Sequence, residues 1–151
     1  MKKRIAVFAN GWSDEFVQKI MNGVQQCMRE QAMDVYVFAF YSASAKHEFL
    51  EDNPGEENIF RLPDLSRFDG VIVMTNTFAS DEELKMLRER ISEAGIPGVS
   101  LEWPMEGLDF FGPDNYSGLY ELTEHLVEEH QCRRVVFVSG PSDNDESNIR
   151  L

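Results

Sequence analysis

Apolar and polar positions along this chain change period repeatedly. Short continuous apolar runs alternate with stretches in which apolar residues recur three and four positions apart. Arg4–Ala9, bounded by Asn10-Gly11, predicts a buried strand. Phe16, Ile20, Val24, Cys27 and Met28 then mark one helical face, with Ser13 or Asp14 as cap and Asp14-Glu15 at the positive end. Gly23 lies inside that helix, where it costs about 1 kcal/mol relative to alanine, and a close packing contact would account for it. Val35–Phe40 predicts a second strand. From Tyr41 to Phe68 the pattern is irregular: Asn53-Pro54-Gly55 is a turn, Pro63 forbids a long helix, and a helical turn is expected near His47–Leu50. Gly70–Met74 predicts the third strand. A Ser80–Glu83 capping box then opens a helix carrying Leu84, Leu87 and Ile91, which Gly95 ends. Pro97–Leu101 and Leu108–Phe111 predict strands four and five. Tyr116–Glu129 predicts a helix with Leu119, Tyr120, Leu122 and Leu126 inward, and Val135–Ser139 a sixth strand that must find a partner to leave water.

Strands alternating with helices imply an α/β fold, a doubly wound parallel sheet. Right-handed crossovers place the loops after the strands on one edge, and ligands bind outside the carboxyl ends of such strands. The candidate loops are Asn10-Gly11-Trp12, Tyr41-Ser42, Thr75-Asn76-Thr77, Glu102-Trp103, Asp114-Asn115-Tyr116 and Ser139–Asn144.

Composition narrows the chemistry. The chain has 151 residues, about one domain, with 42% hydrophobic residues and 11 Phe to build a core. Its formal charge of −13, from 27 acids and 14 bases, repels phosphate backbones and argues against direct nucleic-acid contact. Lys2-Lys3-Arg4 is a short solvated cluster. Cys27 and Cys132 lack metal-type spacing, and Cys27 is expected to be a buried, inert thiol. No signal-peptide-like or membrane-spanning run is present, so a cytoplasmic location without membrane contact is expected.

Several catalytic patterns are absent. There is no Gly-x-Gly-x-x-Gly after the first strand, no Walker-type loop and no Gly-x-Ser-x-Gly elbow. His47, His125 and His130 are not at metal-ligand spacing, and no cofactor, metal site or nucleophile–base set is expected. What remains is a ring of aromatic and neutral polar groups: Trp12, Phe16, Tyr41, Asn76, Trp103, Asn115 and Tyr116, with Asn10 at the end of the first strand. Aromatic faces stack on sugars and bases while carboxamides fix hydroxyls, the mix of apolar wall and few placed polar groups that pockets use.

These residues carry a resemblance. Arg4-Ile5-Ala6-Val7-Phe8, Phe16 with Gly23, Phe68-Asp69-Gly70-Val71-Ile72-Val73 and Ala94-Gly95-Ile96-Pro97 belong to it. So do Pro113-Asp114-Asn115-Tyr116-Ser117-Gly118, Thr123-Glu124-His125-Leu126, Arg133 to Pro141, and Ser147 with Arg150. Together they resemble the ligand-binding domain of lac-repressor-type regulators and periplasmic sugar-binding proteins. The resemblance implies a flavodoxin-like lobe of a type I periplasmic-binding-protein fold. It places the first lobe in residues 1–131 and the first strand and turn of a second lobe in 132–151. It brings Trp12 to Phe16, Asn115 to Ser117 and Arg150 to the ligand cleft. A helix-turn-helix does not precede the first strand, and the segment Asn53–Leu65 replaces a regular second helix. That variant resembles sensor regions ahead of signalling enzymes such as some bacterial diguanylate cyclases. The function implied is a non-catalytic lobe that senses a sugar or nucleobase by hinge closure and pairs as a homodimer. The alternative is a protein interaction module that takes no small ligand.

Overall fold

The structure, a computed structural model, describes residues 2–11, 15–39, 58–78, 81–140 and 148–149. The chain forms two compact units, Met1–Gly112 and Pro113–Leu151. The first holds strands β1 (Arg4–Ala9), β2 (Asp34–Ala39), β3 (Gly70–Met74), β4 (Gly98–Leu101) and β5 (Asp109–Phe111). They pair in the order β2-β1-β3-β4-β5, every neighbour parallel. Among the described residues, three α-helices accompany them: α1 (Glu15–Glu30), α2 (Asn58–Arg61) and α3 (Asp81–Ala94).

The apolar runs become strands because both faces of the sheet are covered. Along β1 the side chains alternate. Ala6 and Phe8 enter a core with Phe60 of α2 and Leu87 and Ile91 of α3. Val7 and Ala9 enter a second core with Val17 and Met21 of α1. All four β1 residues are fully buried. Burying each large apolar side chain is worth roughly 1.5–3 kcal/mol. The type I periplasmic-binding-protein sheet expected from the sequence is present.

The irregular stretch before β3 is more closely integrated than the pattern suggests. Phe60 is fully buried, 4.8 Å from Phe78 and 6.1 Å from Phe8 between ring centroids. The Arg90 guanidinium on α3 donates to the carbonyls of Phe60 and Pro63 and so holds this segment to the helix. The turn expected near His47–Leu50 lies outside the described residues, as do Ser80 of the capping box and the capping candidates Ser13 and Asp14.

On α1 the expected Ile20 and Val24 do pack against the second core, but the most deeply buried positions are their neighbours. Val17 and Met21 are buried, whereas Phe16 is 45% exposed and Cys27 is exposed rather than a core thiol. Apolar residues occupy both 16 and 17, so spacing alone admits two faces, and the sheet selects Val17. Gly23 packs closely against nothing: a Cβ there would meet no atom within 4 Å.

The second unit contains α4 (Asn115–Glu128). Asp114 caps it, its Oδ1 accepting from the Ser117 amide at 3.0 Å. This hydrogen bond holds the Asp114 carboxyl below the ordinary value of 3.8, with burial opposing the shift slightly. No residue of α4 is buried, so the inward stripe expected of Leu119, Tyr120, Leu122 and Leu126 is not covered. The sixth strand does not form either. Residues 134–140 are in no strand, and Val136 and Val138 are 87% and 88% exposed.

Candidate functional site

The carboxyl ends of β1, β3 and β4 are tied by short-range polar contacts. The Asn10 amide after β1 donates to Thr77 Oγ1 at 2.9 Å, and that hydroxyl donates to the Met74 carbonyl at 2.7 Å. Thr75–Thr77 form a single 3-10 turn at the end of β3. Thr75 Oγ1 lies 2.6 Å from the Leu101 carbonyl and 2.8 Å from that of Trp103, and it accepts from the Trp103 amide at 2.9 Å. One threonine thus fixes the β3 loop against the β4 loop, and another fixes it against the β1 loop.

Two backbones on this edge are left-handed, Gly11 at φ 71° and Glu102 at φ 72°. Glycine adopts this without cost. For Glu102 it stores on the order of 1 kcal/mol or more, a kind of strain that concentrates at ligand sites. The Glu102 amide is held by the Phe111 carbonyl at 3.1 Å, which pins the turn that presents Trp103.

Two asparagine side chains at this edge carry unsatisfied polar atoms. Asn10 is 2% exposed, and among the described residues neither its Nδ2 nor its Oδ1 has a hydrogen-bond partner. The Oδ1 of Asn76 is buried in the same condition. A buried polar atom left unpaired costs about 1–3 kcal/mol. The fold therefore holds one carboxamide with unpaired donor and acceptor, Asn10, and one unpaired acceptor, Asn76 Oδ1, at the edge where parallel sheets bind ligands.

Of the residues expected from sequence, the structure brings Asn10, Asn76 and Trp103 onto this one edge. Phe16 lies in the first turn of α1, which follows β1. Asn115, Tyr116 and Ser117 form the first turn of α4 in the second unit, where Tyr116 is exposed and stacks on Tyr120 at 6.4 Å. Trp12, Tyr41 and Arg150 lie outside the described residues. Thr75 and Thr77 were not singled out as individual residues by the sequence reading. The available signal was a Thr-x-Thr directly after an apolar strand, where hydroxyls close a turn.

No group of three or more His, Cys, Asp or Glu among the described residues is placed to hold a metal ion. No described helix is long and apolar enough to cross a membrane.

Neither a family model nor a curated protein sequence matches the chain. Solved structures do. A periplasmic solute-binding protein of an ABC transporter from Actinobacillus succinogenes 130z, with bound D-allose, superposes with a TM-score of 0.69 at 17% identity, covering 99% of this chain and 52% of that one. A LacI-family transcriptional regulator from Brachyspira murdochii gives 0.72 at 13% identity over 99% of this chain and 48% of its own. A periplasmic-binding-protein/LacI regulator from Alkaliphilus metalliredigens QYMF, complexed with D-xylulofuranose, gives 0.61 at 17% identity, again over 99% of this chain and 49% of its own. The chain spans about half the length of these proteins, and over that half it has the fold of lac-repressor-type ligand-binding domains and periplasmic sugar-binding proteins.

Proposed function

We propose that this chain is a sensing lobe for a small polyhydroxylated ligand of the sugar class, within a bacterial transcription regulator or signalling protein. The observation that carries this reading is the buried, unpartnered carboxamide of Asn10, with the buried, unpartnered Oδ1 of Asn76 in the loop after the neighbouring strand β3, on the same carboxyl edge of the sheet. A carboxamide offers one acceptor and two donor hydrogens, the complement of a sugar hydroxyl that both donates and accepts. Two of the fold neighbours carry sugars.

The mechanism follows from two-walled binding. Residues 1–131 form one wall and 132–151 begin a second. A ligand with higher affinity for the closed arrangement shifts the population toward it, and the shift is read by a partner domain. The reading includes Trp12, Phe16, Tyr41, Trp103, Asn115, Tyr116, Ser117 and Arg150 as cleft residues. It also includes a cytoplasmic location, no cofactor, no catalysis and no direct contact with nucleic acid.

One wall covers far less of a ligand than the ~70–90% that pockets bury, so binding by this chain belongs in the millimolar range, about −4 kcal/mol. Calorimetry should show no micromolar binder. The decisive experiment is nuclear magnetic resonance of the Asn side-chain amides during titration with pentoses and hexoses. The Asn10 and Asn76 signals are expected to move with at least one sugar. If no sugar at high millimolar concentration moves either, the reading is wrong.

A second reading is favoured by exposed apolar side chains. Tyr120, Leu122 and Val127 on α4, with Val136 and Val138, lie open to solvent. Such residues fit an association surface, and the expected state is a homodimer. Sedimentation at tens of micromolar tests this, and a dimer whose Asn amides ignore all sugars would make the chain an interaction module instead.

A further inference from the structure

We propose that His125 and His130 together bind a divalent transition-metal ion of the zinc type through their Nε2 atoms. The two Nε2 atoms lie 3.1 Å apart, with ring centroids 4.8 Å apart and planes at 82°. Zinc–imidazole bonds of ~2.0–2.1 Å at a tetrahedral angle place two nitrogens about 3.3–3.4 Å apart, so a few tenths of an ångström of separation, with both rings turning to aim their lone pairs at one point, admit the ion. Both side chains are exposed, and the adjustment meets no packed core.

Spacing conceals this pair. Residues three or four apart face each other on a helix, whereas five apart do not. His125 belongs to the last turn of α4, and His130 follows its end. There the backbone departs from helical geometry. The Cys132 amide donates to the Leu126 carbonyl at 3.0 Å, the His130 amide to the His125 carbonyl at 3.4 Å, and Gln131 is left-handed at φ 52°. This turn swings the His130 ring back over His125.

Without an ion, one ring donates to the other, which fixes opposite tautomeric roles at the facing nitrogens. With an ion, both present lone pairs to it. Neutral imidazole suits zinc, nickel and copper, and the formal charge of −13 raises the local concentration of any cation. Since no third protein ligand is placed at the described residues, water would complete the coordination, and the ion would exchange rather than staple the fold. A bound ion would join the last turn of α4 to the residues beyond it and hold the Gln131 turn in place.

The test is calorimetric titration of the whole chain with zinc chloride, alongside His125→Ala, His130→Ala and His47→Ala. The chain and His47→Ala should bind one zinc equally. Each of the other two variants should bind at least about tenfold more weakly, as expected when one of two ligands is lost. Circular dichroism should show His125→Ala and His130→Ala folded, because both residues are exposed. Absence of zinc binding by the chain overturns the proposal. So does His125→Ala or His130→Ala binding as tightly as the parent.

Discussion

The Thr75 hydroxyl lies 2.6 Å from the Leu101 carbonyl oxygen, so the end of β3 is bound to the end of β4 through one side chain. Thr75 Oγ1 also accepts from the Trp103 amide at 2.9 Å, and Thr75 is 1% exposed. Thr75→Val keeps the shape and removes all three contacts. It takes this partner from the Trp103 carbonyl, while the Trp103 amide keeps its bond to the Leu101 carbonyl at 3.0 Å. The expected cost is about 1–3 kcal/mol, read as a lower urea midpoint at constant slope. An unchanged midpoint would mean that water replaces the hydroxyl and that the edge is wetter than its burial implies.

Phe60 should behave as a core residue although it stands on a four-residue helix. Truncating a fully buried phenylalanine leaves a cavity and typically costs about 3–5 kcal/mol. Phe60→Ala is therefore expected to match Phe8→Ala within ~1 kcal/mol, since both rings are fully buried in one cluster. Urea denaturation of the two variants decides it, and a cost for Phe60→Ala below ~1 kcal/mol would show that the segment does not belong to the cooperative unit.

How much of this was legible follows from where the signal resides. Val7, Val71 and Val73 announce strands because a parallel sheet covered on both faces needs only apolarity, and every strand of the sheet was read to within about a residue at each described end. Asp114 announces a helix start because the cap acts within three residues. Phe60 gave no such sign, since its burial depends on Phe8 and Phe78, distant in sequence. Phe16 and Val17 are equally apolar, and only the sheet decides between them. Val135–Val138 show the converse failure. Their apolarity states what they need, not whether a partner exists. The place of Asn10 and Asn76 on the carboxyl edge follows from the strand-end rule, whereas the clamps made by Thr75 and Thr77 depend on loops brought together from three strands.

Acid should loosen the start of α4. Asp114 lies below its ordinary value of 3.8 because the Ser117 amide bonds to its carboxylate. A group depressed in the folded state contributes in full above the ordinary value, and the contribution disappears as pH falls through the folded value. The Ser117 amide signal should therefore shift as pH drops below about 4. Asp114→Asn retains a capping oxygen without a titrating proton and should abolish that shift. Persistence of the shift in the variant would place the titration on another group.

Gly23→Ala should stabilise the chain. Gly23 lies inside α1, and an added Cβ meets no atom within 4 Å. Alanine reduces the freedom of the unfolded chain and favours the helix, a gain of about 0.5–1 kcal/mol. Thermal unfolding at two protein concentrations reads this directly. A loss of stability that grows with concentration would instead mean that two copies of the chain meet on this face of α1.

Asn10 offers a trade of stability against binding. Its carboxamide is buried without a partner among the described residues. Leucine has nearly the same branched shape and carries no polar atom. In the absence of ligand, Asn10→Leu should therefore raise stability by about 1 kcal/mol, since the unpaired donor and acceptor are removed. The main-chain amide still reaches Thr77 Oγ1, so the loop itself is retained. In the presence of sugar the sign reverses. The parent gains stability with ligand concentration by mass action, whereas the variant, lacking the acceptor and donors at that position, should gain none. Paired urea titrations with and without a saturating sugar measure both effects on the same samples. A variant less stable than the parent without sugar would show that Asn10 is already paired in the folded chain. The buried carboxamide would then be a structural group, and the binding site would have to be sought among the aromatic residues of the rim.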